Sequence, residues 1–176
     1  MKARTIALFL LVFGCSALFA QGAPANSSTD NQATNAASSA MYAPVHVYDA
    51  ARDAASDIDS AVKEAARTGK RVLVEVGGLW CSWCKYMDKF FDQNTNVRQL
   101  RDDNFVLVKV NFSPENENKT VLAKYGNVPG YPHIFVLDSD GKLLHSQETA
   151  NLEEGRGYSA KAVTTFLNKW APARAS

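Results

Sequence analysis

Cysteine and histidine are scarce in this chain, which has three of each among 176 residues. A structural zinc site normally takes four such ligands at characteristic spacings. After the first twenty residues only two cysteines remain, Cys81 and Cys84, together with His46, His133 and His145. The sequence therefore predicts no metal site, and no motif for another cofactor accompanies these residues.

An excess of charge of either sign is also missing. The 19 Lys and Arg residues are scattered among 18 Asp and Glu residues, for a formal net charge of +1. Proteins that bind nucleic acid usually carry a basic patch on one face, so no nucleic-acid partner is predicted. With 46% hydrophobic and 21% charged residues, most of the chain has the composition of an ordinary globular domain.

The apolar run near the N-terminus, IALFLLVFG, is too short to span a bilayer as a helix. Lys2 and Arg4 precede it, which is the charge order of a secretory signal. We therefore predict that residues 1–20 are a signal peptide and that the protein is exported. The alternative is a membrane-anchored lipoprotein, because VFGC resembles a bacterial lipobox with Cys15 as the lipidated residue. Bulky Phe13 and the apolar residues after Cys15 favour the signal peptide.

Residues 21–42 are rich in Ser, Asn, Ala and Thr and contain almost no large apolar side chains. Such a segment cannot bury enough surface to offset the entropy lost on ordering. We predict a flexible linker here, followed by one folded domain over residues 43–176.

Hydrophobic periodicity in the domain predicts alternating strands and helices. The prediction places a short strand at PVHVY, a helix capped by Asp49 and ended by Gly69, strand Arg71–Gly77, helices at 82–91 and 96–101, strand 105–112, a helix ending near 125–126, a hairpin over HIFVLDSDGKLLHSQ with Gly141 at its turn, and helix Ala160–Trp170. A parallel βαβ part followed by an antiparallel hairpin predicts an α/β domain, with a central mixed sheet flanked by helices on both faces.

The stretch GLWCSWCKYM places Cys81 and Cys84 where a buried strand ends and a helix begins. A thiol at the first turn of a helix faces unpaired N–H groups and the positive end of the helix dipole, which stabilise its thiolate. Cys81 is thus the expected nucleophile, and Cys84, one turn further, is expected to be more buried and to resolve a mixed disulfide. A permanent disulfide is the alternative, but closing only two intervening residues would stabilise the fold little.

The order of elements, the motif WCSWCK and the later GYPHIFVLD resemble the thioredoxin superfamily over residues 45–172. Within it, VLVEVGGLWCSWCKYMDKFF is similar to the thioredoxin-like C-terminal domain of the periplasmic disulfide reductase DsbD and to small exported thioredoxin-like proteins. The resemblance implies a thioredoxin-like fold, a redox-active Cys81–Cys84 disulfide and a periplasmic location.

The resemblance also implies that the Tyr131–Pro132 peptide bond is cis and lies against the cysteine pair, exposing the backbone of Tyr131 to a substrate strand. Pro129 is the competing candidate for this position. Trp80 matches the tryptophan that precedes the first cysteine in the family. Trp83, inside the CxxC dipeptide, is expected to shield the site or to contact substrate.

Three charged residues complete the candidate site. Glu75 occupies the position where thioredoxins carry a buried acid, usually Asp, that helps to move the proton of the second cysteine. Burial is expected to raise its pKa and make it a base near neutral pH. Asp88 follows Cys84 by one helical turn, as an acid does in the DsbD domain, and either tunes the thiol pKa or is solvated. Lys85 is expected to be a solvated residue with a modest attraction for the thiolates.

The direction of electron flow follows from what stabilises the Cys81 thiolate, because a stabilised thiolate makes the pair more oxidising. The dipeptide Ser82–Trp83 lacks the histidine of strong oxidases, and Glu75 and Asp88 disfavour a thiolate. We therefore predict a monomeric reductase of protein disulfides that is recharged by a membrane-bound or periplasmic dithiol donor. The alternatives are a disulfide oxidase or isomerase with the same residues, or a chaperone-like module that binds clients without redox turnover.

Overall fold

The computed structural model of the protein describes residues 42–173. The predicted signal peptide, Cys15 and nearly all of the predicted linker lie outside the described residues. In chain order the helices and strands are α1 Ala54–Thr68, β1 Arg71–Gly77, α2 Ser82–Gln93, α3 Thr95–Asn104, β2 Phe105–Asn111, α4 Lys119–Leu122, β3 His133–Leu137, β4 Leu143–Glu148, a 3-10 turn Thr149–Leu152, β5 Glu153–Glu154, β6 Gly157–Tyr158 and α5 Ala160–Trp170.

Four strands form the main sheet in the order β2-β1-β3-β4. The pair β1 and β2 is parallel, while β3 runs antiparallel to both β1 and β4. The short strands β5 and β6 form a separate hairpin. In the central register Glu75 of β1 lies beside Lys109 of β2 and Ile134 of β3, so two charged residues stand next to each other inside an otherwise apolar sheet.

Alternate residues of β1 enter two different cores. Val72, Val74 and Val76 pack with the buried face of α1, whereas Leu73 packs with α2 and α5 on the opposite side. A strand covered on both faces needs an almost unbroken apolar run, which is what VLVEV provides apart from Glu75. Each fully buried Val or Leu contributes about 1.5–3 kcal/mol relative to leaving it exposed. The predicted α/β class, with a mixed sheet flanked by helices on both faces, is confirmed.

The start of α1 corrects the prediction that Asp49 is its cap. Asp53 is the N-cap, and its carboxylate accepts hydrogen bonds from the N–H groups of Ala55 and Ser56 at 2.9 and 3.2 Å. The Asp49 carboxylate instead accepts the Ala51 N–H at 2.8 Å, within the turn that precedes the helix. Gly69 ends α1 in the left-handed conformation, with φ of 69°, as predicted.

The predicted strand at PVHVY is reduced to a single bridge between Val45 and Val108, so that prediction was wrong. The Val45 carbonyl accepts the Lys109 N–H at 2.9 Å, and the chain then leaves the edge of the sheet. Val47 is 65% exposed, while Tyr48 turns inward and is 4% exposed. The alternation in this segment therefore directs one tyrosine into the protein rather than pairing a strand.

The second half follows the predicted order closely. Between β2 and β3, α4 is only one turn long, and the helix expected to reach 125–126 continues as hydrogen-bonded turns. Gly141 has φ of 83° in the β3–β4 connection, as the hairpin requires. The limits of α5 agree with the prediction. Within residues 42–173 the structure contains no helix that combines the length and apolarity needed to cross a membrane.

Candidate active site

The two cysteines lie at the N-terminus of α2, where the sequence placed them. Cys81 is the N-cap, and its Sγ accepts the backbone N–H of Cys84 at 3.0 Å. The two residues form a disulfide with a Cα–Cα distance of 5.2 Å. Both are buried, with Cys81 3% and Cys84 1% exposed. After reduction the same N–H group and the helix dipole would stabilise a Cys81 thiolate.

Trp80, Tyr131 and Phe112 form an aromatic wall beside the cysteine pair. Trp80 is 54% exposed, and its Nε1 donates a hydrogen bond to the Phe112 carbonyl oxygen at 2.7 Å. Its ring meets Tyr131 edge-on with the centroids 5.3 Å apart, and Tyr131 stacks on Phe112 at 5.0 Å. Trp80 is thus joined to the end of β2 and to the loop before β3, and it presents a rigid apolar surface next to Cys81.

The Tyr131–Pro132 peptide bond is cis. Pro132 is buried, and its carbonyl oxygen accepts the Thr149 hydroxyl at 2.5 Å. A groove of about 180 Å³ runs along this loop and is lined by Tyr131, Pro132, Glu148 and Thr149 among others. Pro129, the competing candidate, is exposed and forms part of the wall of the same groove.

Trp83 packs against the cluster of Tyr48, Cys81 and Cys84, and it also contacts a second group of aromatic residues. Its ring meets Tyr86 and Tyr158 edge-on, with centroid distances of 5.4 and 5.6 Å. The Tyr158 hydroxyl also donates to the Trp83 carbonyl oxygen at 3.4 Å. Trp83 therefore contributes to the packing of the β5–β6 hairpin on α2. Lys85, the next residue but one, is exposed.

Three charged residues form a network that is joined to the cysteine cluster through Tyr48. Glu75 is 2% exposed and Lys109 is 4% exposed, and the Lys109 Nζ lies 3.3 Å from Glu75 Oε1. The same ammonium group also contacts the carboxylate of Asp88, whose side chain is 51% exposed. Asp88, expected near Cys84 on one face of α2, thus reaches Lys109. Because Lys109 contacts both acids, it offsets part of the negative charge that the sequence alone suggested for this site.

Sequence reasoning missed Lys109 as part of the site. It is the single charged residue in the buried run FVLVKVNF, directly beside Glu75 in the sheet register. Buried charges are normally paired, so lone opposite charges in two adjacent buried strands were a usable signal.

Tyr48 was also missed, and no motif marks it. Its hydroxyl donates to Glu75 Oε1 at 2.5 Å, and its ring packs with Cys81 and Cys84. Gly77 leaves room for this contact, since a Cβ built there would lie 2.4 Å from Cys84 Sγ and 2.8 Å from the Tyr48 hydroxyl oxygen. Burial, followed by the charge of Glu75, raises the pKa of Tyr48 well above its usual value, so the hydroxyl keeps its proton at neutral pH.

His133 follows Pro132 and lies inside β3, where its Nε2 is 2.7 Å from the Ser146 hydroxyl oxygen. Burial lowers its pKa to about 4, so the ring is neutral near pH 7. In the part of the chain that the structure describes, no three His, Cys, Asp or Glu side chains are grouped as metal ligands.

Comparison with known proteins agrees with this geometry. A family described as thioredoxin-like matches residues 53–139. The chain is 24% identical over 165 residues to the thiol:disulfide interchange protein DsbD of Colwellia psychrerythraea, and 29% identical over 118 residues to DsbD of Salmonella typhi. These alignments cover 93% and 67% of this chain, but only 25% and 20% of the relatives. The chain therefore spans about a quarter or less of the length of these relatives.

Among solved structures, a disulphide isomerase from Xylella fastidiosa matches with a TM-score of 0.61 and 28% identity. The match covers 69% of this chain and 94% of the isomerase chain. Together with the fold, these similarities define the class: this is a thioredoxin-like domain with a CxxC disulfide at the start of α2. The chain belongs to the thioredoxin superfamily, and the DsbD proteins are the curated relatives that it resembles.

Proposed function

We propose that the chain is an exported, periplasmic reductase of protein disulfides that acts as a monomer through Cys81 and Cys84. The observation that carries this proposal is the charge distribution around the pair. The Cys81 Sγ receives one backbone N–H, while the buried cation Lys109 is held by Glu75 and Asp88. A thiolate with this limited support favours the oxidised pair, and a pair that favours its oxidised form is a reductant.

The reaction transfers two electrons to the substrate. The Cys81 thiolate attacks one sulfur of the substrate disulfide, so a mixed disulfide forms and the other substrate sulfur leaves as a thiolate. Cys84, deprotonated, then attacks Cys81 Sγ and releases the second substrate thiol. The product is the Cys81–Cys84 disulfide described here. A dithiol donor returns the pair to its reduced form.

Glu75 is the proposed base for the second step. The buried Glu75 carboxylate accepts a hydrogen bond from Tyr48, which packs with both cysteines, and it can accept the proton that Cys84 must lose. Lys109 contacts both Glu75 and Asp88 and offsets part of their negative charge. Lys85 contributes a solvent-screened attraction for the thiolates.

Substrate is proposed to lie across the aromatic wall and the loop before β3. Trp80 and Tyr131 offer apolar surface, and the backbone at Tyr131 and Pro132 borders the groove. Trp83 packs against the cysteine cluster and against Tyr158. An extended substrate segment at this place would pair with the backbone as an added strand does. The DsbD similarity supports protein disulfides as substrates and a membrane-bound or periplasmic dithiol donor as the partner.

The deciding experiment is the equilibrium reduction potential of the Cys81–Cys84 couple. The chain without residues 1–20 is equilibrated in dithiothreitol or glutathione buffers, and free thiols are counted by mass-shift labelling. A reductase is expected to have a potential of about −270 mV, close to that of thioredoxin. A potential of about −120 mV, as in DsbA, would contradict the proposed direction and favour an oxidase or isomerase.

A second candidate, the isomerase, is favoured by the similarity to the Xylella fastidiosa protein. Turnover separates the candidates, because reduction of insulin needs both cysteines, whereas isomerisation of scrambled ribonuclease can begin and end on Cys81. The Cys84→Ser variant is therefore expected to lose insulin reduction. Retained binding of unfolded clients without either activity would instead indicate a chaperone-like module. Light scattering of the same preparation checks the monomer.

A further inference from the structure

The segment before α1 brings Tyr48 to the cysteine pair from outside the region that the thioredoxin-like family matches. That match begins at residue 53. Hydrogen bonding of the Lys109 N–H to the Val45 carbonyl and the bridge from Val45 to Val108 hold the segment along β2. Tyr48 is 4% exposed and packs with both cysteines. This contact is therefore supplied by the chain's own N-terminal segment.

The Tyr48 hydroxyl contacts the buried acid and borders the same space at Gly77 as the buried sulfur of Cys84. It donates to Glu75 Oε1 at 2.5 Å. The hydroxyl oxygen and Cys84 Sγ both face the space above Gly77, because a Cβ at that position would lie within 2.8 and 2.4 Å of them. A phenol can donate one hydrogen bond and accept another at the same time. The position of Tyr48 thus allows it to accept from a Cys84 thiol while it donates to Glu75.

The surroundings keep Tyr48 neutral. Burial and the Glu75 charge raise its pKa well above its ordinary value. The Lys109 ammonium lies 4.6 Å from the centre of the tyrosine ring. The titratable groups that face Tyr48 or act on it from the neighbouring elements are Glu75 on β1, Cys81 and Cys84 and Asp88 at α2, Lys109 on β2, and Tyr158 on β6.

We propose that the Tyr48 hydroxyl carries the proton from Cys84 to Glu75 when Cys84 resolves the mixed disulfide. This inference rests on the proposed roles of Cys84 and Glu75. The Cys84 S–H proton passes to the Tyr48 oxygen as the Tyr48 proton passes to Glu75, so tyrosine ends the step unchanged. The Cys84 thiolate then attacks Cys81 Sγ, the sulfur–sulfur bond to the substrate breaks, and the substrate leaves as a thiolate. That thiolate takes a proton from water, and Glu75 later releases its proton to solvent.

The test compares two steps that a model disulfide separates. The reduced chain is mixed with oxidised glutathione, quenched with acid at short times and analysed by mass spectrometry. Formation of the glutathione adduct on Cys81 reports the first step, and its decay to the internal disulfide reports the attack by Cys84. Tyr48→Phe, which keeps the ring and removes the hydroxyl, is expected to slow adduct decay at pH 7 by about tenfold or more. Adduct formation is expected to stay within about twofold of the parent, since Tyr48 carries no proton in that step.

The pH profile distinguishes proton transfer from a merely structural role. Above the pKa of the Cys84 thiol no proton remains to be moved, so the difference between Tyr48→Phe and the parent is expected to disappear. Tyr42→Phe is the matched control, because Tyr42 lies in the same segment and donates to the Leu107 carbonyl at 3.4 Å, away from the cysteines. Equal adduct decay in Tyr48→Phe and Tyr42→Phe at pH 7 would overturn the relay. Decay in Tyr48→Phe that is slower than in the parent by the same factor at every pH would also overturn it.

Glu75→Gln separates failure of the relay from failure of its premise. If the two residues act in series, Glu75→Gln slows adduct decay by a similar factor, and adding Tyr48→Phe causes no further loss. Slow decay in Glu75→Gln with normal decay in Tyr48→Phe would reject the relay and leave Glu75 as the base. Normal decay in Glu75→Gln would reject the base and the relay together. The direction of electron flow is decided separately, by the reduction potential.

Discussion

At the scale of single residues, the site depends on a buried charge network that two strands and one helix build together. Lys109 lies in the sheet beside Glu75 and reaches Asp88 on α2. The cost of burying charges is offset only when each has partners.

Lys109→Met is expected to destabilise the oxidised chain by about 3 kcal/mol, because Glu75 would remain buried without its cation. The free energy of unfolding from urea denaturation measures this loss. Lys63→Met is the control, since Lys63 is 75% exposed and pairs only with Asp59 on α1. The double variant Glu75→Gln with Lys109→Met should recover part of the loss. A loss below about 1 kcal/mol in the single variant would contradict the network.

Because His133 is buried and neutral, the free energy of unfolding is expected to fall in acid. Burial lowers its folded pKa to about 4 from a usual value of 6.5, so the unfolded chain binds a proton before the folded chain does. The contribution of neutral His133 to the free energy of unfolding is fully present above pH 6.5 and is lost as the pH falls toward 4. The loss is about 3 kcal/mol at pH 4. Unfolding free energies of the parent and His133→Gln from pH 7.5 to 4 isolate this term, because the carboxylates contribute to both. Parallel curves would show that His133 does not cause the loss.

At the scale of elements, α2 and α1 are positioned by contacts at their first turns. The N-terminus of α2 carries the disulfide and is tied to β2 through Trp80. The N-terminus of α1 is set by Asp53 rather than Asp49. The N-cap of α1 and the Trp80 contact before α2 can each be tested by changing one side chain.

Asp53→Ala is expected to destabilise the chain by about 1 kcal/mol, because two N–H groups at the start of α1 lose their acceptor. Asp59→Ala, an exposed change in the body of the same helix, is the control and should cost about 0.5 kcal/mol or less. The midpoint of urea denaturation measures both. A larger loss in Asp49→Ala than in Asp53→Ala would restore Asp49 as the cap.

Trp80→Phe removes the hydrogen bond to Phe112 and part of the contact with Tyr131. Reduction of a protein substrate such as insulin is expected to fall by about three- to tenfold, in line with a lost hydrogen bond of about 1 kcal/mol. Reaction with oxidised glutathione should change less, because a small disulfide needs less of the aromatic wall. Trp170→Phe in α5, which alters the stacking of that ring on His145 of β4, is the control. Equal losses for both disulfides would argue against a role in protein binding.

At the scale of the whole molecule, the proposed location depends on residues 1–42. Only Tyr42 of this stretch is among the described residues. The charged start, the short apolar run and the polar stretch after it form the pattern of an exported protein. The location is therefore a proposal that rests on sequence.

Expression of the full chain in a Gram-negative host is expected to yield a periplasmic protein whose N-terminus lies near residue 21. N-terminal sequencing and mass spectrometry of the periplasmic fraction check this. Cys15→Ser should leave the yield and the N-terminus unchanged if the residue is only part of the apolar run. Recovery in the membrane fraction with an acylated Cys15 would establish the lipoprotein alternative.

Local patterns in the sequence determined much of the fold. The strand Arg71–Gly77 and the helix Ala160–Trp170 have the predicted limits, and Gly141 adopts the predicted positive φ. These elements combine strong periodicity with clear terminal residues, so local preference and tertiary packing agree. The redox class could also be read directly, since two cysteines at a strand–helix junction have few other uses.

Tertiary structure alone decided how the charged and aromatic residues meet. The strand predicted at PVHVY became one bridge and an inward-facing Tyr48, because packing against the cysteine pair and a hydrogen bond to Glu75 outweigh an alternating pattern of five residues. Asp88 contacts Lys109, and Lys109 contacts Glu75, although the three residues lie on different elements. Contacts between residues far apart in sequence depend on register and packing, which local patterns do not encode. The sequence by itself determined most of the elements and the position of the cysteine pair, and the fold decided which residues surround that pair.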